Sequence, residues 1–209
     1  RTNDVIRFEA NPEYRDPAKP AFATLVMKGG GDPAAAARSV LETGEYDYAW
    51  NTQFSADGSV IAACIQSGGE YGMCVDGTVW ETLYENLNQS VLSVDGSATA
   101  AVVQLASLKP ADLDSFQAGV FGVARNGEAW DDKFMNAWTP VFDPAGKRIA
   151  AQIRLNLYEY SVAVDGQLWP GRYACVWEPC FNPATGKVVA PVRLKGQWGM
   201  AQDGQIIWE

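Results

Sequence analysis

The chain has 209 residues, 47% of them apolar and 20% charged, and its 16 basic and 25 acidic residues leave a formal net charge of −9. With no run of Lys or Arg, phosphate backbones and anionic lipid surfaces are repelled rather than attracted, and no stretch of about 18 uncharged apolar residues reads as a membrane span. Histidine is absent, which excludes Ser-His-Asp and Cys-His nucleophiles, His-ligated haem and imidazole-dependent zinc sites.

In chain order, "DVIRFEA" and "FATLVMK" alternate as strands. "GGGDPAAAARSVLETG" then reads as a helix with Asp32 as N-cap, Pro33 at the first helical position and Gly44 past the C-terminus. "YDYAW" follows as a strand. Residues 1–50 thus form a small α/β unit, too short to bury much by itself. "KGGGDP" lacks the closing Gly-Lys-Ser/Thr of a phosphate loop and reads as a glycine-softened entry to the capped helix.

From Gln53 onward turn signals take over with a period. Gly58, Gly96, Gly146 and Gly186 mark one set of reversals, at separations of 38, 50 and 40 residues; Gly77, Gly127, Gly166 and Gly204 mark a second, at 50, 39 and 38. One insertion around "LASLKPADLDSFQAG" explains both long intervals, leaving a period close to 39. Asp-Gly and Asn-Gly suit two-residue hairpins that need positive φ. Runs such as "VIAACI", "ATAAVVQ", "RIAAQIR" and "VVAPVR" suit strands covered on both faces. Four short strands per repeat, repeated four times over residues 51–209, predict a mainly β protein with propeller-like blades. Trp80, Trp130 and Trp169 stand three residues after the second reversal, where they are expected to begin the outer strand and fill the gap between blades. The fourth repeat has Ile207 at that step and Trp208 beside it. Trp50, Trp138 and Trp177 recur before the first reversal, and Trp50 marks the junction of the two parts.

Two resemblances attach to these words. "RFEANPEYRDPAKPAF" and "KGGGDPAAAARSVLETGEYDYAWN" resemble a fragment of the periplasmic oligopeptide-binding proteins of ABC transporters, over about a quarter of the chain. Those receptors close two lobes on a peptide, which a fragment of this size does not form, so no ligand residue is carried over. "SADGSVIAACIQSGGEYGMCVDGTVWE", "GKRIAAQIRLNLYEYSVAVDGQLW" and "FNPATGKVVAPVRLKGQWGMAQDGQIIW" resemble the WD-repeat-like propeller subunit of the Tmc transmembrane electron-transfer complex of sulfate-reducing bacteria. That resemblance implies a non-catalytic docking or accessory subunit without haem or cluster, beside protein subunits of a membrane redox complex, with no direct membrane insertion. It places the chain on the cytoplasmic side, peripheral to the membrane; the first resemblance implies the periplasm and solute binding instead. The chain lacks the Gly-His pair of eukaryotic WD repeats, and only Trp130-Asp131 spells their dipeptide. An outer strand from "YDYAWN" is expected to complete the last blade.

Candidate site residues are few. The four cysteines, Cys64, Cys74, Cys175 and Cys180, form no CxxC spacing. A hairpin reversing around Ser67, Gly68 and Gly69 would set Cys64 and Cys74 opposite each other, about 4.5–5.5 Å apart at Cβ, as a redox-sensitive cross-strand pair. Asp57, Asp76, Asp95, Asp165 and Asp203 supply one carboxylate per turn, as hairpin geometry asks, rather than a calcium loop. The insertion from Leu105 to Phe121 is the expected partner-contact loop, with Lys109, Pro110, Asp112, Asp114 and Phe116 as its contact residues. The reading is therefore a protein-interaction scaffold with no catalytic, cofactor or metal residues, against the alternatives of peptide binding and of a carboxylate-only glycosidase.

Overall fold

A computed structural model describes residues 5–10, 12, 23–28 and 52–208. Strands β1 (Val5–Glu9) and β2 (Thr24–Lys28) form an antiparallel pair, with Val5 opposite Lys28 and Glu9 opposite Thr24. The helix expected over 32–44, the "YDYAW" strand and the junction at Trp50 lie outside the described residues.

The repeats fold as four antiparallel sheets. The first holds β3 (Thr52–Phe54), β4 (Ile61–Ser67), β5 (Glu70–Val75) and β6 (Thr78–Val79). The second holds β7 (Leu87–Leu92), β8 (Thr99–Gln104), β9 (Phe121–Arg125) and β10 (Glu128–Ala129). The third holds β11 (Asn136–Phe142), β12 (Ile149–Arg154), β13 (Tyr160–Val164) and β14 (Gln167–Leu168). In the fourth the first strand is split into β15 (Cys175–Val176) and β16 (Cys180–Phe181), followed by β17 (Val188–Leu194), β18 (Gln197–Gln202) and β19 (Gln205–Trp208). The fourth blade therefore carries its own outer strand. Among the described residues it shares no strand pairing with the first blade.

The reversals follow from their residues. Asp76-Gly77, Asn126-Gly127, Asp165-Gly166 and Asp203-Gly204 all have positive φ at both positions, from 46° to 87°, the geometry that matches the twist of the strands they join. Each Asx side chain is also used: Oδ1 of Asp76, Asn126, Asp165 and Asp203 accepts the N–H of Ile61, Thr99, Ile149 and Val188 in turn. These bonds fix the equivalence of the four blades residue by residue.

Because successive strand residues point to opposite faces, each blade has a leading face, toward the preceding blade, and a trailing face, toward the next. Ala62 and Met73 of blade one meet Ala101, Val103 and Ala124 of blade two. Ala100, Val102 and Val123 then meet Ile149, Ala151, Ile153 and Ala163, and Ala150, Val162 and Val164 meet Val188, Ala190, Val192 and Ala201. All but Val164 of these side chains are at most 1% exposed. Alanine on the second strand lets sheets approach closely, while each buried Val or Ile contributes about 1.5–3 kcal/mol. The first strands converge: the Gln53 amide donates to Ser90 O at 2.9 Å and accepts from Leu92 N at 2.5 Å, and Gln89 accepts from Thr139 N at 2.5 Å. Bulges between Asn88 and Val91 and between Trp138 and Val141 open the first strands to these bonds.

The outer strands differ from expectation in one respect. The indoles do not begin them; each stands directly after a two-residue strand, where pairing breaks off. Pairing resumes for one residue at Tyr84, Phe134 and Tyr173, which bridge to Tyr71, Phe121 and Tyr160. With its backbone N–H still donated to the third strand, at Met73, Val123 and Val162, the indole turns across the seam. Trp80 Nε1 donates to Thr99 Oγ1 at 2.9 Å, and a Cβ built on Gly127 would lie 3.1 Å from the Trp80 Cβ. Trp130 stands against Gly166 and Trp169 against Gly204 in the same way. Tyr84 Oη and Tyr173 Oη donate to the carbonyls of Gly127 and Gly204 at 2.7 and 3.0 Å.

Candidate interaction surface

In a meander the first and third reversals of a blade lie at one end, and the second reversal and the blade-to-blade link at the other. The insertion is the second reversal of blade two, so it shares its end with Gly68-Gly69, with 155–159 and with Lys195-Gly196. Its root is fixed. Leu105 N donates to Val120 O at 2.7 Å, the Gln104 amide donates to Glu85 Oε2 at 3.1 Å and to Ala106 O at 2.9 Å, and Ser107 Oγ donates to Glu85 Oε1.

Beyond that root the expected partner-contact loop makes a short helix, α1 (Leu113–Ala118). Asp112 is its N-cap and accepts from Ser115 N at 3.0 Å; Gly119, with φ 100°, ends it and returns a bond to Phe116 O at 3.2 Å. None of its residues is buried, and Leu113 is 66% exposed. Of the expected contact residues, Lys109, Pro110 and Asp114 are exposed, and Asp112 and Phe116 are half-buried. All five fall on the one excursion. At the same end Tyr158 is 79% exposed, on a turn where Asn156 Oδ1 accepts from Tyr158 N and Glu159 N at 2.9 and 3.0 Å.

Cys64 and Cys74 are not brought together. Gly68 and Gly69 alone form the reversal, both with positive φ (62° and 95°), so the loop has two residues where the expected pairing needed three. The register consequently moves by one: Cys64 faces Met73 and Cys74 faces Ala63. A one-residue shift sends the two thiols to opposite faces of the sheet, and a bridge would require the backbone to move. Cys64 instead points into the seam and donates to Ser90 Oγ at 3.1 Å; burial pushes its thiol pKa up, partly offset by that bond. Among the described residues no three Cys, Asp or Glu side chains converge as a metal site requires, and no helix is long and apolar enough to cross a membrane.

A second surface had no counterpart in the sequence reading. The trailing face of blade four carries Val189, Pro191, Arg193, Trp198, Met200 and Trp208. Trp177 joins it, with its ring 4.2 Å from that of Trp198, and the Arg193 guanidinium lies 5.8 Å from the Trp198 ring. Trp177, Trp198 and Trp208 are 38%, 55% and 66% exposed. Indoles grouped on one sheet face form a patch of the kind that marks contact with another macromolecule.

No family model matches the chain, and no curated protein matches it. Among solved structures the chain is similar to TolB from Acinetobacter baumannii, with a TM-score of 0.45 and 16% identity, over 88% of this chain and 44% of that one. The chain thus spans less than half the length of that protein. Its class, a mainly β protein of stacked four-stranded blades, is defined by its own sheets and seams.

Proposed function

We propose that the chain is a non-catalytic scaffold for contact between proteins, serving as an accessory subunit beside a membrane electron-transfer complex on the cytoplasmic side. The observation that carries the scaffold reading is α1: a capped helix without a buried residue, held at its root by Glu85, Gln104 and Leu105 and offered to solvent at one end of the blades. A blade gains nothing in its own core from such an excursion, and loop closure makes it cheap to keep. The redox partner rests on the resemblance of residues 53–209 to the Tmc propeller subunit.

Deleting Pro110–Gln117 tests the proposal. The urea midpoint of the purified chain is expected to move by no more than about 0.5 kcal/mol equivalent, since nothing buried is removed. Redox subunits recovered with the tagged chain from detergent-solubilised membranes of its native host are expected to be lost. Recovery at the wild-type level overturns the scaffold reading, and recovery of partners without redox centres overturns its assignment to an electron-transfer complex.

A further inference from the structure

Three seams in this chain repeat one formula. The trailing face contributes a small second-strand residue (Ala62, Ala100, Ala150), a third-strand Met or Val (Met73, Val123, Val162) and an indole after the outer strand; the leading face of the next blade contributes the glycine of an Asx-Gly reversal under that indole. Blade four presents the first half of the formula. Val189 stands where Ala62 does and Met200 where Met73 does, by their place relative to Asp203 and Asp76. Trp208 is opposite Met200 as Trp80 is bonded to Met73, because a bulge at Ile207 restores the step that the sequence displaces. Yet Trp208 is 66% exposed where Trp80 is 7% exposed.

We infer that the trailing face of blade four seats a further blade of this same repeat type, beyond the four described, with the glycine of its Asx-Gly reversal under Trp208. The inference rests on the scaffold reading but names a different surface from the excursion. Its warrant is continuity with an interface built three times in the same chain: backbone positions, the third-strand Met and the indole match, Val189 takes the place of the alanine, and among the described residues no leading face lies opposite. That blade's second strand must carry small or β-branched residues toward Val189 and Met200, as Ala101 and Val103 do toward blade one. A side chain in place of the reversal glycine is disfavoured, because its φ is positive and at Gly127 a Cβ would lie 3.1 Å from the indole's own Cβ.

The test extends the full chain past Glu209 with a copy of its own residues 132–173, so that the link following Trp208-Glu209 repeats the one following Trp130-Asp131. Hydrogen exchange is read on 197–208. Seating the added blade is expected to slow exchange there about tenfold or more, and the same extension with Gly166→Val in the added copy is expected to lose that protection. Exchange unchanged on 197–208 overturns the inference, whether the added segment orders elsewhere or stays unprotected. Sedimentation velocity of the unextended chain supplies the other arm. A monomer is expected, and a dimer abolished by Trp208→Asp would make a second copy the occupant and overturn the assignment to a blade beyond these four. Deletion of the excursion leaves these readouts alone, so failure here and failure of the scaffold reading are separable.

Discussion

The seam between blades one and two and the trailing face of blade four are built from equivalent positions, and they differ in what lies opposite. Trp80 donates its backbone N–H to Met73 and is 7% exposed; Trp208 pairs with Met200 and is 66% exposed. A blade fixes where its indole stands but does not bury it. Stability in such an array is a sum of what each blade holds by itself and what each seam adds, so one residue type at one position should carry very different weight along the chain.

The largest effect is expected from Trp80→Ala, which empties a seam and removes the bond to Thr99. Urea denaturation should report a loss of about 3–5 kcal/mol, against about 0.5 kcal/mol or less for Trp208→Ala. Equal costs would end the comparison. Glycine sharpens it one step down. Gly127 (φ 87°) lies under Trp80, whereas Gly196 (φ 84°) has the same backbone and nothing within 4 Å of a built Cβ. Gly196→Ala is expected to cost only the conformational strain, about 1 kcal/mol, and Gly127→Ala about 2–3 kcal/mol as the indole is displaced. The difference between the two variants measures the seam.

A smaller effect separates the seams from one another. Tyr84 and Tyr173 donate across theirs, but Phe134 occupies the equivalent place between blades two and three and has no hydroxyl. Burial pushes the Tyr84 pKa up, reinforced by Glu128, so the phenol remains a donor at neutral pH. Tyr84→Phe is expected to cost about 1 kcal/mol by leaving the Gly127 carbonyl short of a partner, while Phe134→Leu, measured beside it, reports packing alone. A neutral Tyr84→Phe would show that water replaces the hydroxyl at no cost.

Much of this was legible in the residues. The Asx-Gly reversals, the apolar second strands and the spacing of the indoles follow from local chemistry, and four blades resulted. What failed depended on counts of one. Cys64 opposite Cys74 needs the three-residue loop Gly68-Gly69-Glu70, and only the formed pairing shows Gly68-Gly69 alone, which sends Cys64 and Cys74 to opposite faces. α1 was within reach, since Asp112 and Gly119 cap it as Asp32 and Gly44 were expected to cap another helix. Tyr84, Phe134 and Tyr173, each four residues after an indole, were also visible as a period. The open face of blade four was not, because nothing in a strand's own sequence says whether another sheet covers it.

The smallest effect concerns the first reversals, and it is a pH dependence. In blade one the Ser55 hydroxyl, then the Ser59 N–H and the Ser59 hydroxyl, hold the Asp57 carboxyl at about 2, below the usual 3.8. Ser93 and Ser97 lower Asp95 in the same way in blade two. A folded pKa below the unfolded one means that this stabilisation is complete above the unfolded value and is lost as pH falls through the folded one, here between pH 3.8 and about 2 for Asp57. Blade four makes its reversal with Asn182, whose neutral Oδ1 accepts from Ala184 N and Thr185 N at 2.9 and 3.2 Å. The turn therefore needs an acceptor, and charge is an addition to it. Asp57→Asn should keep the blade folded and flatten the fall of the urea midpoint between pH 4 and about 2, with wild type and variant converging at the acid end. Parallel curves would mean that the exposed carboxylate, screened by water, adds nothing that the neutral amide lacks.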